Sequence, residues 1–237
     1  MSKQELQHTA YQASGVSYEE SLQVTRLIPC LYERLGHEWG CKKLSQLFYE
    51  RVFNDKDNSW FLSLFVSSTK REAIDNQYRF LVQIFGGPAL YKEKKGKYTR
   101  LAGRHANYPI GDNAANQWVK HMDRAIDEHP NLNNIDNNNN HNHNNNNNSN
   151  RDDGNDNDND DYWDDNNNDD DNDNSRDRID KNDNNESERM NEKDRNETKE
   201  ALRSYFRYTA HYIVAASVYM RDDQLSGGTQ IDTGSNW

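Results

Sequence analysis

The sequence lacks the residues and runs that define several large protein classes. It has only 2 cysteines among 237 residues, and Cys30 and Cys41 do not have metal-binding spacing, so we expect two reduced thiols. No stretch approaches the length of a membrane-spanning helix, and the N-terminus has no secretory signal pattern. We therefore expect a soluble, cytoplasmic protein with no membrane partner and no nucleic-acid partner.

Alternation of apolar and polar residues, the pattern of a half-buried β-strand, is also missing, so the sequence predicts an all-α protein. Apolar residues recur instead at three- and four-residue spacing, as on the inner face of an amphipathic helix. This spacing predicts five or six helices within 28–130 and 196–222. Residues 1–27 are weakly patterned, and we expect a flexible extension with at most a short helix near 18–27. We expect 223–237 to be a flexible tail.

A polar tract, residues 131–195, separates the two helical parts and consists largely of Asn and Asp. It carries a net charge of −13, against −11 for the whole chain. Such a tract cannot bury enough apolar surface to offset its conformational entropy, so we expect disorder. His141 and His143 form an H-x-H pair in it, which is too weak a pattern to predict a metal site. Because loop length has a small entropic cost, we expect the fold to tolerate the tract.

The clearest helix boundaries precede a single histidine. Thr69 and Glu72 have the spacing of a capping box, which predicts the start of a helix. The Gly-Gly-Pro run at 86–88 ends that helix, since glycine supplies a left-handed conformation and proline forbids continuation. A basic loop follows, and a short apolar turn then carries His105 four residues after Leu101. The two side chains therefore lie on one side of a helical turn.

Three polar side chains fall on or beside predicted inner helix faces: Tyr49, Gln77 and Trp118. A buried polar group without a partner costs on the order of 1–3 kcal/mol, so each of them needs one. They could bond to one another or to the backbone, and a lone histidine such as His105 is more often a satisfied core residue than a ligand. Several such residues in one small core favour a bound polar group.

Six segments, in this order, resemble the truncated haemoglobins, most closely the plant-like sequences of group II. They are L-Y-E-R-L-G (31–36), F-Y-E-R-V-F (48–53), A-I-D-N-Q-Y with F-G-G-P-A-L-Y (73–91), R-H (104–105), W-V-K-H-M (118–122) and F-R-Y-T-A-H-Y-I-V-A (206–215). The resemblance implies a two-over-two helical globin sandwich that encloses haem b. It also implies one globin domain, formed by 28–130 and 196–222, with the acidic tract inserted before the last helix.

The resemblance also implies site residues. His105 matches the proximal haem ligand, and Tyr49, Gln77 and Trp118 match polar positions of the distal pocket. The other matched haem-contacting positions are Phe65, Ala73, Phe80, Tyr91, Lys95, Arg104 and Tyr108. Of these, Lys95 and Arg104 match positions near the haem propionates, although solvation is an equally good interpretation of either. Lys92, Lys94 and Lys97 are expected to be solvated.

Neutral imidazole is a suitable axial ligand for haem iron. Dioxygen draws electron density from ferrous iron, so hydrogen-bond donors in the pocket would hold it tightly. The sequence therefore predicts binding of dioxygen, nitric oxide and carbon monoxide, and tight binding suits reaction with nitric oxide better than oxygen transport. Such chemistry needs an electron donor. Peroxide turnover is an enzymatic alternative. A haem-based sensor, with the acidic tract as its partner-binding element, is an alternative from a different class of protein. Whether the protein is an enzyme or a homodimer stays open.

Overall fold

Helices and the turns between them make up all of the chain that the structure describes. The structure is a computed structural model, and it describes residues 2–65, 68–96, 101–105, 108–133 and 190–225, with side chains to 221. Within these ranges there is no strand, which confirms the all-α prediction. The predictions about Lys97, the H-x-H pair, most of the Asn/Asp tract and the end of the tail lie outside these residues.

Ten α-helices occur in this part of the chain, and short 3₁₀ turns connect some of them. The α-helices are α1 (Lys3–Ser14), α2 (Tyr18–Ser21), α3 (Leu31–Arg34), α4 (His37–Asn54), α5 (Ser59–Leu62), α6 (Lys70–Ile84), α7 (Leu90–Lys95), α8 (Leu101–His105), α9 (Asp112–Glu128) and α10 (Glu192–Leu225). The described residues show no helix with the length and apolar character needed to cross a membrane.

The core lies where α4, α6, α9 and α10 meet. Helix α4 packs against α6 and α9, and α10 packs against α9 and the short α8. Phe48 and Leu44 of α4 are fully buried, as are Met122 and Ile126 of α9. These residues recur at four-residue spacing, as the predicted inner faces require. Helices α4, α6, α9 and α10 thus enclose one apolar interior.

The N-terminal segment differs from the expected flexible extension. Ser2 and Glu5 form a capping box that begins α1. Leu6 packs in a cluster with Ala215 and Ala216 of α10. Ala10 is fully buried in a second cluster with Tyr208 of the same helix. Few apolar residues carry this contact, which explains why α1 has such a weak periodic pattern in the sequence.

Helix α6 follows the sequence prediction closely. Thr69 and Glu72 form the predicted capping box, with the Glu72 amide donating to the Thr69 hydroxyl at 3.2 Å. After the C-cap Phe85, Gly86 has φ +100°, a left-handed conformation that suits glycine. Next, Gly87 lies so close to Tyr32 that an added Cβ would be 2.7 Å from the ring. The Gly-Gly run therefore both ends the helix and admits close packing.

Two other elements differ from the predictions. Helix α7 forms within the predicted basic loop, and α10 begins before residue 196 and ends after residue 222. Extra turns at helix ends carry few apolar residues, so periodicity gives little indication of them.

The two ends of the Asn/Asp tract are anchored on neighbouring residues of the core. Before the tract, Asn131 donates to the Leu35 carbonyl at 2.9 Å, and Leu132 is buried. After the tract, Arg34 donates to the Asp194 carbonyl at 3.3 Å and to the Thr198 hydroxyl at 3.1 Å. The chain therefore leaves and returns to the globular part beside residues 34 and 35, and α10 begins at Glu192, inside the predicted tract.

Candidate functional site

All eleven residues that the sequence predicts for the site line one cavity. They are Tyr49, Phe65, Ala73, Gln77, Phe80, Tyr91, Lys95, Arg104, His105, Tyr108 and Trp118. They belong to five helices and two connecting segments, so only the folded chain brings them together. The cavity has a volume of about 400 Å³. This lies within the range of roughly 300–1,000 Å³ that is usual for ligand and cofactor pockets.

His105 ends α8 with its imidazole held in one orientation. Its Nδ1 lies 2.8 Å from the carbonyl oxygen of Leu101, one helical turn earlier. Because a carbonyl only accepts, Nδ1 carries the proton and Nε2 retains its lone pair. Burial lowers the pKa of His105 and Arg104 lowers it further, against the opposing effect of the Leu101 bond. The side chain is therefore a neutral imidazole with a nitrogen available to a ligand.

Tyr49 is buried in α4 among aromatic rings. Its ring lies edge-on to Phe48 at 4.9 Å and to Phe65 at 5.9 Å between centroids. Burial raises the pKa of the phenol well above its ordinary value, so Tyr49 stays protonated. A buried, protonated phenol that lines a cavity can donate a hydrogen bond to a group bound there.

The amide of Gln77 has a buried oxygen with no partner. Its Oε1 and the Oδ1 of the adjacent Asn76 form no hydrogen bond in the part of the chain that the structure describes, and both residues line the cavity. No hydrogen bond is found there between any two of Tyr49, Gln77 and Trp118. The alternative that these three satisfy one another is therefore not supported. Trp118 packs between Phe48 and Phe206, with centroids at 4.9 and 5.4 Å.

Cationic side chains lie at one edge of the cavity. The guanidinium carbon of Arg104 is 4.7 Å from the centroid of the Tyr91 ring, and burial lowers the Arg104 pKa. Lys95 is exposed, whereas Lys94 pairs with Asp75 and so differs from the expected free solvation. Arg104 has no carboxylate partner among the described residues. This edge therefore suits an anionic group.

The remaining predicted residues form apolar walls. Ala73 is buried, and its small side chain leaves space beside Gln77 on α6. Phe80 contacts Tyr91 edge-on at 5.9 Å, and Phe65 contacts Phe61 at 5.3 Å. Tyr108 is 38% exposed, and its ring lies 6.3 Å from the His105 ring.

The structure adds cavity residues that the sequence reasoning missed. Asn76 was overlooked because it lies next to Gln77, outside the predicted apolar stripe of α6. Tyr205 and Thr209 of α10 also line the cavity. Burial raises the pKa of Tyr205, which keeps this phenol protonated as well. The sequence signal that could have indicated Tyr205 and Thr209 is the width of the apolar face of α10, which is broader than a single row of residues at three- and four-residue spacing.

These features fit a haem. The cavity offers an imidazole nitrogen, long apolar and aromatic walls, unpartnered amide oxygens and a cationic edge for carboxylates. Neutral imidazole is a common axial ligand, and its second nitrogen is typically hydrogen-bonded to a carbonyl, as in His105. The donor set contains no thiolate and, in the described residues, no cluster of three or more His, Cys, Asp or Glu that would hold a free metal ion.

Comparisons with known proteins also indicate a globin. The family model described as bacterial-like globin matches residues 30–147. Two-on-two hemoglobin-3 of Arabidopsis thaliana is 41% identical over 125 residues, which are 53% of this chain and 69% of that protein. Group 2 truncated hemoglobin 3-1 of Lotus japonicus is 40% identical over 124 residues, 52% of this chain and 71% of that protein.

A solved structure is also similar. The hemoglobin from the thermophilic phototrophic bacterium Chloroflexus aurantiacus is 34% identical, with a TM-score of 0.39, and the match covers 43% of this chain and 80% of that one. The sequence relatives, the family match and the all-α fold agree with the resemblance seen in the six segments. The chain therefore belongs to the truncated haemoglobin family, in group II, and is a haem globin that binds diatomic gases such as dioxygen.

Proposed function

We propose that haem b binds in the cavity through His105, and that Tyr49, Gln77 and Trp118 hold a diatomic ligand by hydrogen bonds. The observation that carries this proposal is the fixed imidazole of His105 in a cavity that all the other predicted site residues also line. Haem, when bound, supplies an iron atom that binds dioxygen, carbon monoxide or nitric oxide.

His105 acts as the proximal ligand in this proposal. The 2.8 Å bond from Nδ1 to the Leu101 carbonyl sets the tautomer and limits rotation of the ring. The lowered pKa keeps the imidazole neutral at physiological pH, which is the form that can ligate a metal. At the edge of the cavity, Arg104 and Lys95 supply positive charge for the two carboxylates of the haem.

Tyr49, Gln77 and Trp118 act as donors to the gas ligand. The phenol of Tyr49 is protonated, the amide of Gln77 has a buried oxygen without a partner, and the indole of Trp118 carries one N–H. A 180° rotation of the Gln77 amide exchanges oxygen and nitrogen, which would turn a donor toward the position of the unpartnered oxygen. A hydrogen bond to a charged partner contributes roughly 1.5–3 kcal/mol, so two donors would slow ligand escape by orders of magnitude.

Slow escape suits a protein that lets oxygen react rather than one that delivers it. We propose reaction with nitric oxide as the activity, because this small apolar molecule can enter a largely apolar cavity that already holds dioxygen. Turnover consumes reducing equivalents, so an electron donor is part of the proposal. Residues 28–130 and 196–222 would form the functional globin domain.

The test is a His105→Gly variant of the full chain, reconstituted with haem and examined by absorption spectroscopy. The expected result is an altered ferrous and carbon monoxide spectrum that returns toward wild type when free imidazole is added. His211→Gln is a matched control, since His211 is buried in α10 but does not line the cavity. A wild-type spectrum for His105→Gly would contradict the proposal.

A further inference from the structure

A polar clasp joins the end of α4 to the middle of α9. It consists of Asp55, Gln117 and His121. The Asp55 Oδ2 accepts a hydrogen bond from Gln117 Nε2 at 2.7 Å and lies 3.0 Å from His121 Nε2. Asp55 and Gln117 are 62 residues apart in the chain, so the contact exists only in the folded protein.

The chemistry of the carboxylate fixes the protonation of the clasp. Asp55 accepts only, so His121 Nε2 carries a proton and donates it. The amide nitrogen of Gln117 lies 3.0 Å from the same ring nitrogen, and the two groups are then neighbouring donors that converge on one oxygen. Burial lowers the pKa of His121 despite the nearby carboxylate, which favours the neutral ring with its proton on Nε2.

The clasp holds its groups in one geometry. Asp55 also accepts from the Asn58 backbone amide at 3.1 Å and from the Asn58 side chain at 3.0 Å, which closes the turn after α4. His121 is only 4% exposed, and its Nδ1 is buried without a hydrogen-bond partner in the described part of the chain. The hydrogen bonds to Asn58, Gln117 and His121 together restrain the Asp55 carboxylate, and burial restrains the His121 ring.

Both helices that the clasp joins carry a proposed ligand donor. Tyr49 lies on α4, which ends just before Asp55, and Trp118 lies between Gln117 and His121 on α9. A second connection runs through aromatic rings. The His121 ring stacks on Phe61 at 5.7 Å, and Phe61 contacts Phe65 at 5.3 Å.

Phe65 in turn contacts Tyr49 at 5.9 Å. We propose that Asp55, Gln117 and His121 are positioning residues that set the separation of the Tyr49 and Trp118 side chains in the ligand cavity. The inference rests on the proposed function, because it matters only if these two side chains donate to the ligand. None of the three clasp residues lines the haem cavity. Any effect on ligand kinetics must therefore be transmitted through α4, α9 or Phe61.

The experiment compares Asp55→Asn, Gln117→Leu and His121→Phe in the full haem-loaded chain. His121→Phe keeps an aromatic ring beside Phe61 but removes the donor. The readouts are the dissociation rate of dioxygen from the ferrous protein and the stretching frequency of bound carbon monoxide, which reports nearby donors. We expect a rate increase of roughly three- to tenfold, less than for outright loss of a donor, and a shifted or broadened stretch.

The matched control is Asp123→Asn. Asp123 also lies on α9 and pairs with Arg207 of α10 at 3.3 Å, so this variant removes an interhelical carboxylate away from the cavity. We expect it to lower the melting temperature without changing either readout. An equal change of rate in Asp123→Asn and the clasp variants would show general loosening and overturn the inference.

The Tyr49→Phe/Trp118→Phe double variant separates this inference from the proposed function. In that background, Asp55→Asn should have no further effect on the rate. If Tyr49→Phe and Trp118→Phe each accelerate release but all three clasp variants leave the rate unchanged, the positioning inference is wrong and the proposed function stands. If neither donor variant changes the rate, both are wrong.

Discussion

The guanidinium of Arg104 lies over the ring of Tyr91, 4.7 Å from its centroid, and both residues line the cavity of the candidate site. The ring holds the side chain at the cavity edge, while the positive charge has no carboxylate partner among the described residues. This arrangement presents a pre-positioned cation, and we propose that a haem propionate is its partner.

Replacement of Arg104 by Gln should therefore speed haem loss. A partly exposed ion pair contributes up to about 1 kcal/mol, which corresponds to a roughly fivefold faster rate. The rate can be measured by transfer of haem to an excess of a haem-free acceptor globin. Arg26→Gln removes an exposed charge away from the cavity and should leave the rate unchanged. Equal rates in both variants would refute the propionate contact.

Replacement of Tyr49 by Phe should accelerate release of dioxygen. The change removes one donor from a buried, aromatic site and leaves the ring in place, so the rate should rise roughly 10- to 100-fold. Stopped-flow displacement of dioxygen by carbon monoxide measures it. Tyr78→Phe is the control, because Tyr78 is buried on α6 but does not line the cavity. A rapid release already in the wild type would contradict tight holding of oxygen.

His129 should make the protein less stable in acid. It is fully buried, and its Nε2 donates to the Gly40 carbonyl at 3.0 Å. Burial lowers its pKa to about 4, against the opposing effect of that bond. As the pH falls below the ordinary value of about 6.5, the unfolded state takes up the proton first, so stability is present at neutral pH and is lost toward pH 4.

His129→Gln keeps a donor for Gly40 but does not titrate. Between pH 7 and pH 5 the wild type should lose about 2 kcal/mol more unfolding free energy than this variant. Denaturant unfolding of both proteins at the two pH values measures the difference. Titration of His105 and His121 is common to both proteins and therefore cancels. A difference of zero would mean that the pKa of His129 is the same in the folded and unfolded states, and that burial does not lower it.

Gly40 has no room for a side chain. An added Cβ would lie 1.7 Å from the Leu35 carbonyl oxygen, which is backbone and cannot move aside easily. Gly40→Ala should destabilise the protein by about 3 kcal/mol or more, as expected for severe overpacking. Gly103 is also helical, and no described residue lies within 4 Å of a Cβ added there. Gly103→Ala should stabilise by roughly 0.5–1 kcal/mol, since alanine loses less entropy on folding. The melting temperature should fall in Gly40→Ala and rise in Gly103→Ala.

Local chemistry explains which parts of the fold were predictable. The Thr69 capping box and the left-handed Gly86 depend on residues adjacent in the chain, and the structure contains both. The packing of α1 depends on Leu6 and Ala10 meeting a helix near the other end of the sequence. Such a short, mostly polar helix has too weak a pattern to predict burial.

Local sequence also decides which residues of the site were predictable. The eleven cavity residues were named because their motifs resemble a known family, and the fold brings them to one cavity. The pairing of Asp55 with His121 has no local signal, because both are polar residues of kinds that are usually exposed. Asn76 and Thr209 were missed for a similar reason, since their inward orientation depends on how wide a face each helix buries.

Because the anchors at Arg34 and Leu35 are adjacent, we expect the globin core to tolerate a different chain length between residues 133 and 190. Because the chain departs and rejoins at adjacent points, a short Gly/Ser linker in place of residues 134–189 should leave the melting temperature and the oxygen kinetics unchanged, as a circular dichroism melt and stopped-flow mixing would show. A fluorescent protein or an affinity module could be grafted between residues 133 and 190, and new chain termini could be opened there, without disturbing gas binding.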